Sequence, residues 1–435
     1  MIMPNTLHCP ALLISAPASG QGKTTITAAL ARLHRNQGRC VHVFKIGPDF
    51  LDPMILERAS GNPVYQLDLW MGGQAHCQQL LYQAAAKADL ILIEGVMGLY
   101  DGEPSSADLA AQFNIPILAV IDVAAMAQTF GAVAHGLATY RTGLSFAGVL
   151  ANQAASSSHI EMLKESLSHD LPWLGALSRD QNIRLPSRHL GLVQAEEIVN
   201  LDQHLDNLAD NLSQTALNVL PPPIAFTPPD IVSGELPQTL KHVSIAVASD
   251  TAFSFVYHAN LNLLQAMGAK LVFFSPLKND MLPQVDCLYL PGGYPELHLD
   301  KLESNRIIRE GIRDHHAAGK PIVAECGGMI YLLTTLMNIS GQQAAMVNIL
   351  PGHATMKNHL VNLGLHSATF PNGELRGHTF HHSQLETSIE PSTLTQPTRK
   401  GLRPEPLFRI GRLTASYIHW YFPSNPAVAA GLFLP

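Results

Sequence analysis

The most constraining feature of this sequence is an apolar run followed at once by a glycine-bearing loop and a helical stretch. Residues 11–15 read as a buried strand, residues 16–25 spell APASGQGKTT, and the sequence ITAALARLHRNQG that follows is helical in composition. Such a loop holds phosphate groups, because its backbone N–H groups and the dipole of the following helix converge there. The pattern predicts a parallel α/β domain that binds a nucleoside triphosphate, and the strand and helix on the correct sides argue against a chance match.

Each residue of this loop has an expected role. The Lys23 ammonium is expected to reach the outer phosphates, and the Thr24 hydroxyl to ligate Mg²⁺. The residues expected to bind ATP are Ser19, Gly20, Gln21, Gly22, Lys23, Thr24 and Thr25. Pro17 stands where the usual motif has its first glycine, and in this respect the loop resembles that of the dethiobiotin synthetase group of P-loop enzymes.

Two acidic clusters follow the loop, each at the end of a predicted strand. The strand at Val41–Ile46 runs into KIGPDFLDP, and the strand at Leu90–Glu94 runs into IEGVMGLYDG. Ligands of an open parallel sheet collect at these carboxyl ends, and Mg²⁺ prefers one or two carboxylates together with phosphate oxygens. We therefore predict Asp49 and Glu94 as Mg²⁺ ligands, with a turn carboxylate as the alternative for each. Asp101 is a candidate for contact with substrate or intermediate.

Apolar runs that alternate with helical stretches indicate the organisation of the rest of the chain. In the first half, the runs read as parallel strands covered by helices are Ala11–Ser15, Val41–Ile46, Leu90–Glu94, Ile117–Asp122 and Phe146–Ala151. A second alternation has strands at Val243–Ala248, Leu271–Phe274, Cys287–Leu290 and Ile322–Ala324, and a helix over Phe253–Met267. Between the two, closely spaced prolines exclude a regular helix or a central strand. We predict a phosphate-loop domain at residues 1–216, a stiff linker at 217–240 and a second α/β domain at 241–435.

The second domain carries a candidate nucleophile at the end of a predicted strand. Cys326 lies in VAECGGMIYLL, where a glycine turn separates strand from helix, and a thiol at a helix N-terminus is expected to have a lowered pKa. Gly327, and Gly292 and Gly293 in the turn LPGGYPE, are candidates for N–H donors to an oxyanion. His419 in ASYIHWYF supplies a base near a strand end. Together these residues predict acyl transfer through a thiol, with an inert buried cysteine as the alternative.

Two further polar clusters have less specific interpretations. His378, His381 and His382 of GHTFHHS lack the spacing of a zinc site, so hydrogen bonding around the thiol site or at a polyanionic substrate is the preferred interpretation. Arg184 and Arg188 are candidates for holding substrate carboxylates, with a solvated surface as the alternative.

Composition and charge exclude several classes of protein. The 435 residues include 34 acidic and 27 basic side chains, for a formal charge of −7, and the basic residues form no stripe, so no nucleic acid is expected as a partner. The most apolar region, Ala107–Ala127, is interrupted by polar residues and lacks the ~18 unbroken apolar residues of a membrane span, so no membrane is expected. Five cysteines, odd in number and never spaced CxxC, favour a cytoplasmic location. A homo-oligomer is compatible with the sequence.

Taken together, the motifs resemble one family along nearly the whole chain: the glutamine-dependent cobyrinate and hydrogenobyrinate a,c-diamide synthases of corrin (vitamin B12) biosynthesis. The stretches that carry the resemblance are APASGQGKTT, KIGPDFLDPM, IEGVMGLYDG, LPSRHLGLVQAEE, LPGGYPEL, AECGGMIYL, RGHTFHHS and SYIHWYF. The resemblance implies an α/β protein in which a dethiobiotin synthetase-like P-loop domain with a parallel sheet precedes a flavodoxin-like class I glutamine amidotransferase domain.

The resemblance also implies a division of labour. The C-terminal domain would hydrolyse glutamine at Cys326 with His419 as base, and the N-terminal domain would use Mg²⁺ and ATP to phosphorylate a carboxylate of a corrinoid substrate. Ammonia would reach the acyl phosphate through an internal passage. Other class I domains carry a glutamate two residues after the histidine, where this chain has Tyr421, so a Cys–His dyad without a third member is expected. Thr379 stands where the GHxFH motif is expected to carry an acid.

Two alternatives remain open from the sequence. One is a related amidotransferase that acts on nickel sirohydrochlorin or on other corrin carboxylates. The other, from a different class, is a nucleotide switch of the ParA/MinD type. Against the switch stand the missing second lysine near the loop start, the lack of a C-terminal amphipathic membrane helix, and the Cys326 turn, for which a switch has no use.

Overall fold

The computed structural model describes residues 6–179, 194–230, 236–278 and 281–435. The chain divides into two compact units, Met1–Val232 and Ser233–Pro435. Within the described ranges, no helix has both the length and the apolar character needed to cross a membrane.

The first unit alternates strands and helices. Its strands are β1 (Leu7–Ser15), β2 (Val41–Ile46), β3 (Tyr65–Leu67), β4 (Leu90–Glu94), β5 (Ile117–Asp122), β6 (Phe146–Ala154), β7 (Trp173–Ser178) and β8 (Pro223–Phe226). Its helices are α1 (Lys23–Asn36), α2 (Leu51–Ser60), α3 (Gly73–Ala85), α4 (Ser106–Phe113), α5 (Thr129–Thr139), α6 (Ser157–Glu165) and α7 (Leu201–Ser213). The predicted strands are all present, whereas β3, β7 and β8 were not predicted.

The sheet of the first unit is parallel along the order β3-β2-β4-β1-β5-β6-β7, which confirms the predicted parallel α/β architecture. Successive side chains of a strand point to opposite faces. Accordingly, Leu12 and Ile14 pack in a core with α1, α2 and α7, while Ala11 and Leu13 pack in a second core with α3 and α4. Both faces of β1 are therefore buried, which explains why its sequence is continuously apolar.

Part of the predicted proline-rich linker belongs to the first unit. β8 pairs antiparallel with Leu7–Pro10 of β1. Within the described residues β8 has β1 as its one strand neighbour. Because proline has no N–H to donate to a ladder, such a one-sided position suits Pro223, and the prediction that no central strand forms here agrees with this arrangement.

The second unit contains strands β9–β23 and helices α8–α12. Its strands are β9 (Ser244–Ala248), β10 (Lys270–Phe274), β11 (Cys287–Leu290), β12 (Ile322–Glu325), β13 (Leu333–Met337), β14 (Gln343–Ala345), β15 (Leu350–Met356), β16 (Asn362–Phe370), β17 (Gly373–His381), β18 (Ser383–Glu386), β19 (Thr393–Leu394), β20 (Gln396–Pro397), β21 (Pro406–Ile410), β22 (Leu413–Ser416) and β23 (His419–Tyr421). Its helices are α8 (His258–Ala266), α9 (Leu299–Ser304), α10 (Arg306–Ala317), α11 (Gly327–Tyr331) and α12 (Pro426–Phe433).

The main sheet of the second unit has the order β10-β9-β11-β12-β22-β21-β19. The first five strands in this order are parallel to one another. Numbered along the chain, the parallel strands follow the flavodoxin order 2-1-3-4-5, as the resemblance implies. Two four-stranded, mainly antiparallel sheets, β14-β13-β15-β18 and β20-β16-β17-β23, were not predicted. The predicted helix over Phe253–Met267 is too long at its start, because Phe253 and Phe255 form bridges with Asp250 and Gly292 before α8 begins.

Candidate active sites

The phosphate loop of the first unit lies between the end of β1 and the start of α1. Gly20 and Gly22 have φ angles of 79° and 93°, and a Cβ atom on Gly22 would lie 2.4 Å from Nδ2 of Asn152. That Nδ2 donates to the carbonyl of Gln21 at 3.0 Å, and the Gln21 side-chain oxygen accepts from the backbone N–H of Asp122 at 2.8 Å. These contacts attach the loop to the ends of β5 and β6. Asn152 is a supporting residue that the motif did not reveal.

Lys23 is buried at the first position of α1. Its Nζ donates to the carbonyls of Ala18 at 3.3 Å and Met97 at 2.5 Å. Burial lowers the pKa of Lys23, and the nearby Lys45 ammonium adds to this effect. Of the other loop residues, Ser19 and Gly20 are exposed, and Gln21, Gly22, Thr24 and Thr25 are half-buried.

A buried lysine joins the predicted acidic residues beside the loop. Lys45 Nζ lies 2.7 Å from a carboxylate oxygen of Asp52, 2.9 Å from Glu94 and 3.6 Å from Asp49. The Thr24 hydroxyl donates to the same Glu94 oxygen at 2.7 Å. The structure thus brings Thr24 and Glu94 into direct contact. It also shows that Lys45 and Asp52, for which the sequence indicated no role, belong to the cluster.

The cluster combines one ammonium group and three carboxylates at a site with little exposure to solvent. Burial opposes a charge on Lys45, but the three carboxylates outweigh this effect and raise its pKa. Burial raises the pKa of the Glu94 carboxyl, and the Lys45 ammonium counteracts that rise. Burial likewise favours the protonated form of Asp52, but the Lys45 ammonium holds the pKa of that carboxyl below its ordinary value.

The donor set suits Mg²⁺ bound together with phosphate. In the described part of the chain, no group of three or more His, Cys, Asp or Glu side chains forms a metal site by itself. Mg²⁺ is usually held by one or two carboxylates plus substrate phosphates, and the hydroxyl of Thr24 with the carboxylate of Glu94 is a set of that kind. Asp49 is a less direct candidate, because one of its oxygens accepts from the backbone N–H groups of Leu51 and Asp52 at the start of α2.

The structure describes one of the three residues predicted to contact substrate. Asp101 is exposed, and its carboxylate accepts from the backbone N–H of Gly98 at 2.8 Å, which gives it a role in the loop after β4. Arg184 and Arg188 lie outside the described residues. All three stay predictions.

In the second unit, Cys326 forms a sharp turn between β12 and α11. Its φ angle of 44° is unusual for a residue with a side chain, and such backbone strain is often found at functional sites. A Cβ on Gly327 would lie 2.9 Å from the backbone nitrogen of Gly293, so only glycine allows the two turns to approach this closely. The turn that carries Cys326 and the predicted oxyanion turn are therefore in contact.

His419 lies against the same glycine turn. A Cβ on Gly292 would lie 2.2 Å from Cε1 of His419. On β17, His378 is the register partner of His419, and the two rings stack with centroids 4.9 Å apart. The Tyr257 hydroxyl in turn contacts Nδ1 of His378 at 2.8 Å. Burial, together with the nearby His381, lowers the pKa of His419 to about 3, so the imidazole is neutral and can accept a proton.

The expected lowering of the Cys326 pKa is wrong for this structure. Burial raises the pKa of the thiol, the Glu296 carboxylate adds to the rise, and the backbone N–H of Gly327 opposes it. The physical reason is that Cys326 is 7% exposed while α11 has only five residues, so desolvation exceeds the effect of the helix terminus. The thiol therefore needs a base to remove its proton.

The histidine motif of β17 forms a buried hydrogen-bond cluster with an acid from another segment. Glu405 accepts on one oxygen from Nε2 of His381 at 2.9 Å and from the Thr379 hydroxyl at 3.0 Å. The ring of His381 stacks on Tyr417, with centroids 3.7 Å apart. Thr379, which stands where the family motif is expected to have an acid, thus donates to an acid that the chain supplies at position 405. Glu405 was not predicted, because the sequence gives no sign that its loop meets β17.

Comparison with known proteins agrees with this architecture. Residues 12–193 match the family described as "CobQ/CobB/MinD/ParA nucleotide binding domain", and residues 244–427 match the "CobB/CobQ-like glutamine amidotransferase domain". A hydrogenobyrinate a,c-diamide synthase of Stutzerimonas stutzeri is 59% identical over 98% of this chain and 99% of its own, and one of Pseudomonas aeruginosa is 57% identical over 98% of each. A cobyrinate a,c-diamide synthase of Herminiimonas arsenicoxydans is 48% identical over 98% of this chain and 96% of its own.

A phosphate-loop unit followed by a glutamine amidotransferase unit defines the class of the protein, an ATP-dependent ligase that takes nitrogen from glutamine. Full-length identity of up to 59% then specifies the family. The chain belongs to the hydrogenobyrinate and cobyrinate a,c-diamide synthases.

Proposed function

We propose that this enzyme amidates the a and c carboxylates of hydrogenobyrinate, a step of cobalamin biosynthesis, with ATP as the energy source and glutamine as the nitrogen donor. The observation that carries the proposal is the contact of the Cys326 turn and of His419 with the same glycine turn in one unit, together with the phosphate loop in the other. Hydrogenobyrinate is favoured over cobyrinate because the relatives at 59% and 57% identity carry the hydrogenobyrinate name, and the relative at 48% carries the cobyrinate name.

The glutaminase reaction takes place at Cys326. His419, neutral because it is buried, accepts the thiol proton as sulfur attacks the side-chain amide carbon of glutamine. The backbone N–H groups of Gly293 and Gly327 face the developing oxyanion. The C–N bond then breaks, His419 returns the proton to the leaving nitrogen, and ammonia departs. Water hydrolyses the thioester to glutamate and restores the thiol.

The synthetase reaction takes place at the phosphate loop. A carboxylate does not react with ammonia directly, because its oxygen is a poor leaving group. Attack of the carboxylate on the γ-phosphorus of ATP gives an acyl phosphate and ADP, and attack of ammonia on the acyl carbon then releases phosphate and the amide. Lys23 and the loop N–H groups hold the phosphates in line with the attacking oxygen. Ammonia from Cys326 reaches this intermediate without mixing with bulk water, where it would be mostly protonated.

Thr24 and Glu94 would hold Mg²⁺ together with phosphate oxygens, and Asp49 or Asp52 would support them. The ion supplies charge neutralisation at the transferring phosphoryl group. Lys45 keeps the carboxylates of this cluster close together through the contacts given above.

An assay of purified enzyme with hydrogenobyrinate and cobyrinate in parallel tests the proposal. With ATP and glutamine present, mass spectrometry should show two successive replacements of a hydroxyl by an amino group, faster with hydrogenobyrinate. Equal or greater turnover of cobyrinate would reverse the substrate preference. Amidation of nickel sirohydrochlorin alone would overturn the proposal in favour of the related amidotransferase.

We place the enzyme in the cytoplasm, since its five cysteines are all unpaired, as expected in a reducing compartment. The ParA/MinD-type switch is disfavoured by the strained Cys326 turn and its contact with Gly293, which have no role in a switch.

A further inference from the structure

A buried acid, Glu325, directly precedes the candidate nucleophile. Its side chain is 1% exposed, and its two oxygens accept different hydrogen bonds. One oxygen accepts from the backbone N–H of Trp420 at 3.2 Å, and the other from the Tyr289 hydroxyl at 3.0 Å. Since Trp420 directly follows His419, a single carboxyl group joins the residue before the nucleophile to the residue after the base.

A second buried side chain, that of Asn260, also forms hydrogen bonds with the backbone next to His419. The Asn260 side chain donates to the carbonyl of Trp420 at 2.7 Å and accepts from the N–H of Phe422 at 2.8 Å. Asn260 is fully buried. Both backbone groups of Trp420 are therefore held by buried side chains, one from α8 and one from the end of β12.

Stability alone is a poor explanation for an acid at this position. Burial raises the pKa of Glu325 to about 8, while the bonds from Tyr289 and Trp420 oppose the rise. Taking a carboxyl group out of water is costly, and well-packed apolar residues often replace such groups without loss of stability. What an apolar residue could not provide is an acceptor for the N–H of Trp420.

We propose that Glu325 is a positioning residue for the glutaminase reaction, which holds the strand of His419 at a fixed distance from Cys326 through the backbone of Trp420. Other class I domains carry an acid two residues after the histidine, whereas Glu325 acts through the backbone of the residue that follows His419. In this chain that position is Tyr421, which packs edge-on against Tyr257, with ring centroids 5.3 Å apart. The inference rests on the proposed glutaminase function of Cys326 and adds a residue to it.

Two substitutions of Glu325 separate positioning from charge. Glu325→Leu removes the acceptor for Trp420, and because small displacements of reacting groups have large kinetic effects, kcat for glutamine hydrolysis should fall about 100-fold. The KM for glutamine should stay close to that of the unaltered enzyme. Glu325→Gln keeps an oxygen for the N–H of Trp420 and an amide for the rotatable hydroxyl of Tyr289, so it should restore most of kcat. Unchanged kcat in the leucine variant, or equal losses in both variants, would overturn the proposal.

Amidation with ammonium chloride instead of glutamine provides the folding control, since Glu325 is not part of the synthetase unit. Asn305→Leu is a matched variant, because Asn305 is also buried in this unit but bonds the carbonyls of Pro276 and Lys278. It should leave glutamine kcat unchanged. If Glu325→Leu does not fold, Tyr289→Phe tests the proposal instead, because it removes one of the two hydrogen bonds that hold the Glu325 carboxyl group. A kcat reduced about tenfold supports the proposal, and an unaltered kcat overturns it.

The Cys326→Ala variant distinguishes a failure of this inference from a failure of the proposed function. If Cys326→Ala retains glutamine hydrolysis, the proposed function fails. If Cys326→Ala abolishes hydrolysis but Glu325→Leu does not reduce it, only the positioning role fails.

Discussion

At the scale of single residues, Lys45 is the charge that makes the acidic cluster of the first unit stable. Its side chain is 5% exposed and lies within 3.6 Å of three carboxylates, one of which, Glu94, is 1% exposed. Carboxylates at such short distances repel one another unless a cation lies among them. The cluster therefore depends on one lysine.

We expect Lys45→Met to lower the free energy of unfolding by about 3 kcal/mol at pH 8 without added metal, because a buried ion pair loses one partner. Without the ammonium, burial and mutual repulsion raise the pKa of the remaining carboxyls above their unfolded values. The folded variant then binds protons more readily than the unfolded chain, so its deficit should shrink as the pH falls toward 5. Urea unfolding at both pH values measures this. The exposed Lys87→Met serves as the control, and a deficit independent of pH would contradict the explanation.

Single residues differ in how well the sequence identifies them. Lys23, Thr24 and Cys326 lie in short motifs whose flanking strand and helix are visible in the same stretch. Glu405 and Asn152 act on partners far away along the chain, through contacts that only the folded sheet creates. No local pattern could have indicated them.

At the scale of elements, the residues proposed for the glutaminase reaction meet at the turn after β11. Gly292 contacts the ring of His419, and Gly293 contacts the turn of Cys326. The backbone N–H of Phe255 also donates to the carbonyl of Gly292 at 3.0 Å. Three segments that are far apart in sequence therefore meet at two glycines.

We expect Gly292→Ala to reduce glutamine hydrolysis about 100-fold, because its Cβ would displace the imidazole of His419. Ammonium-dependent amidation should be unaffected. Gly341→Ala, at an exposed turn with open space around the added Cβ, is a control for expression and folding. Steady-state release of glutamate is the measurement, and a Gly292→Ala variant with full activity would show that the ring position is not critical.

Elements were predictable to the extent that they are buried on both faces. The parallel strands are continuous apolar runs, and four of them, β2, β4, β5 and β11, have the predicted bounds. β16 and β17 were missed, because their buried positions are interspersed with exposed and polar ones and the pair includes several histidines. Their pairing is set by register across nine residue pairs, which a single segment does not reveal.

At the scale of the whole molecule, the proposed function assigns separate chemical steps of one reaction to the two units. The residues proposed for ATP and Mg²⁺ lie in Met1–Val232, and those proposed for glutamine lie in Ser233–Pro435. Each step should therefore be removable without the other.

We expect opposite outcomes from two substitutions. Cys326→Ala should abolish amidation with glutamine but retain it with high ammonium, because the synthetase step does not use the thiol. Lys23→Ala should abolish amidation with either nitrogen source, because it acts on ATP. Amide formation with both nitrogen donors measures this. A folded Cys326→Ala enzyme that is inactive with ammonium would show that the steps are not separable, and a fully active Lys23→Ala enzyme would remove Lys23 from its proposed role.

The last prediction concerns the two amidations that the proposed function requires. A single phosphate loop offers one in-line geometry for phosphoryl transfer. After the first amidation, the macrocycle must leave and bind again with its other carboxylate toward the γ-phosphate. In a time course, free monoamide should therefore accumulate well above the enzyme concentration before diamide appears, and a chase with excess unlabelled substrate should prevent its conversion. Diamide that forms from labelled substrate despite the chase would require both carboxylates to react during one binding event, which one fixed geometry does not permit.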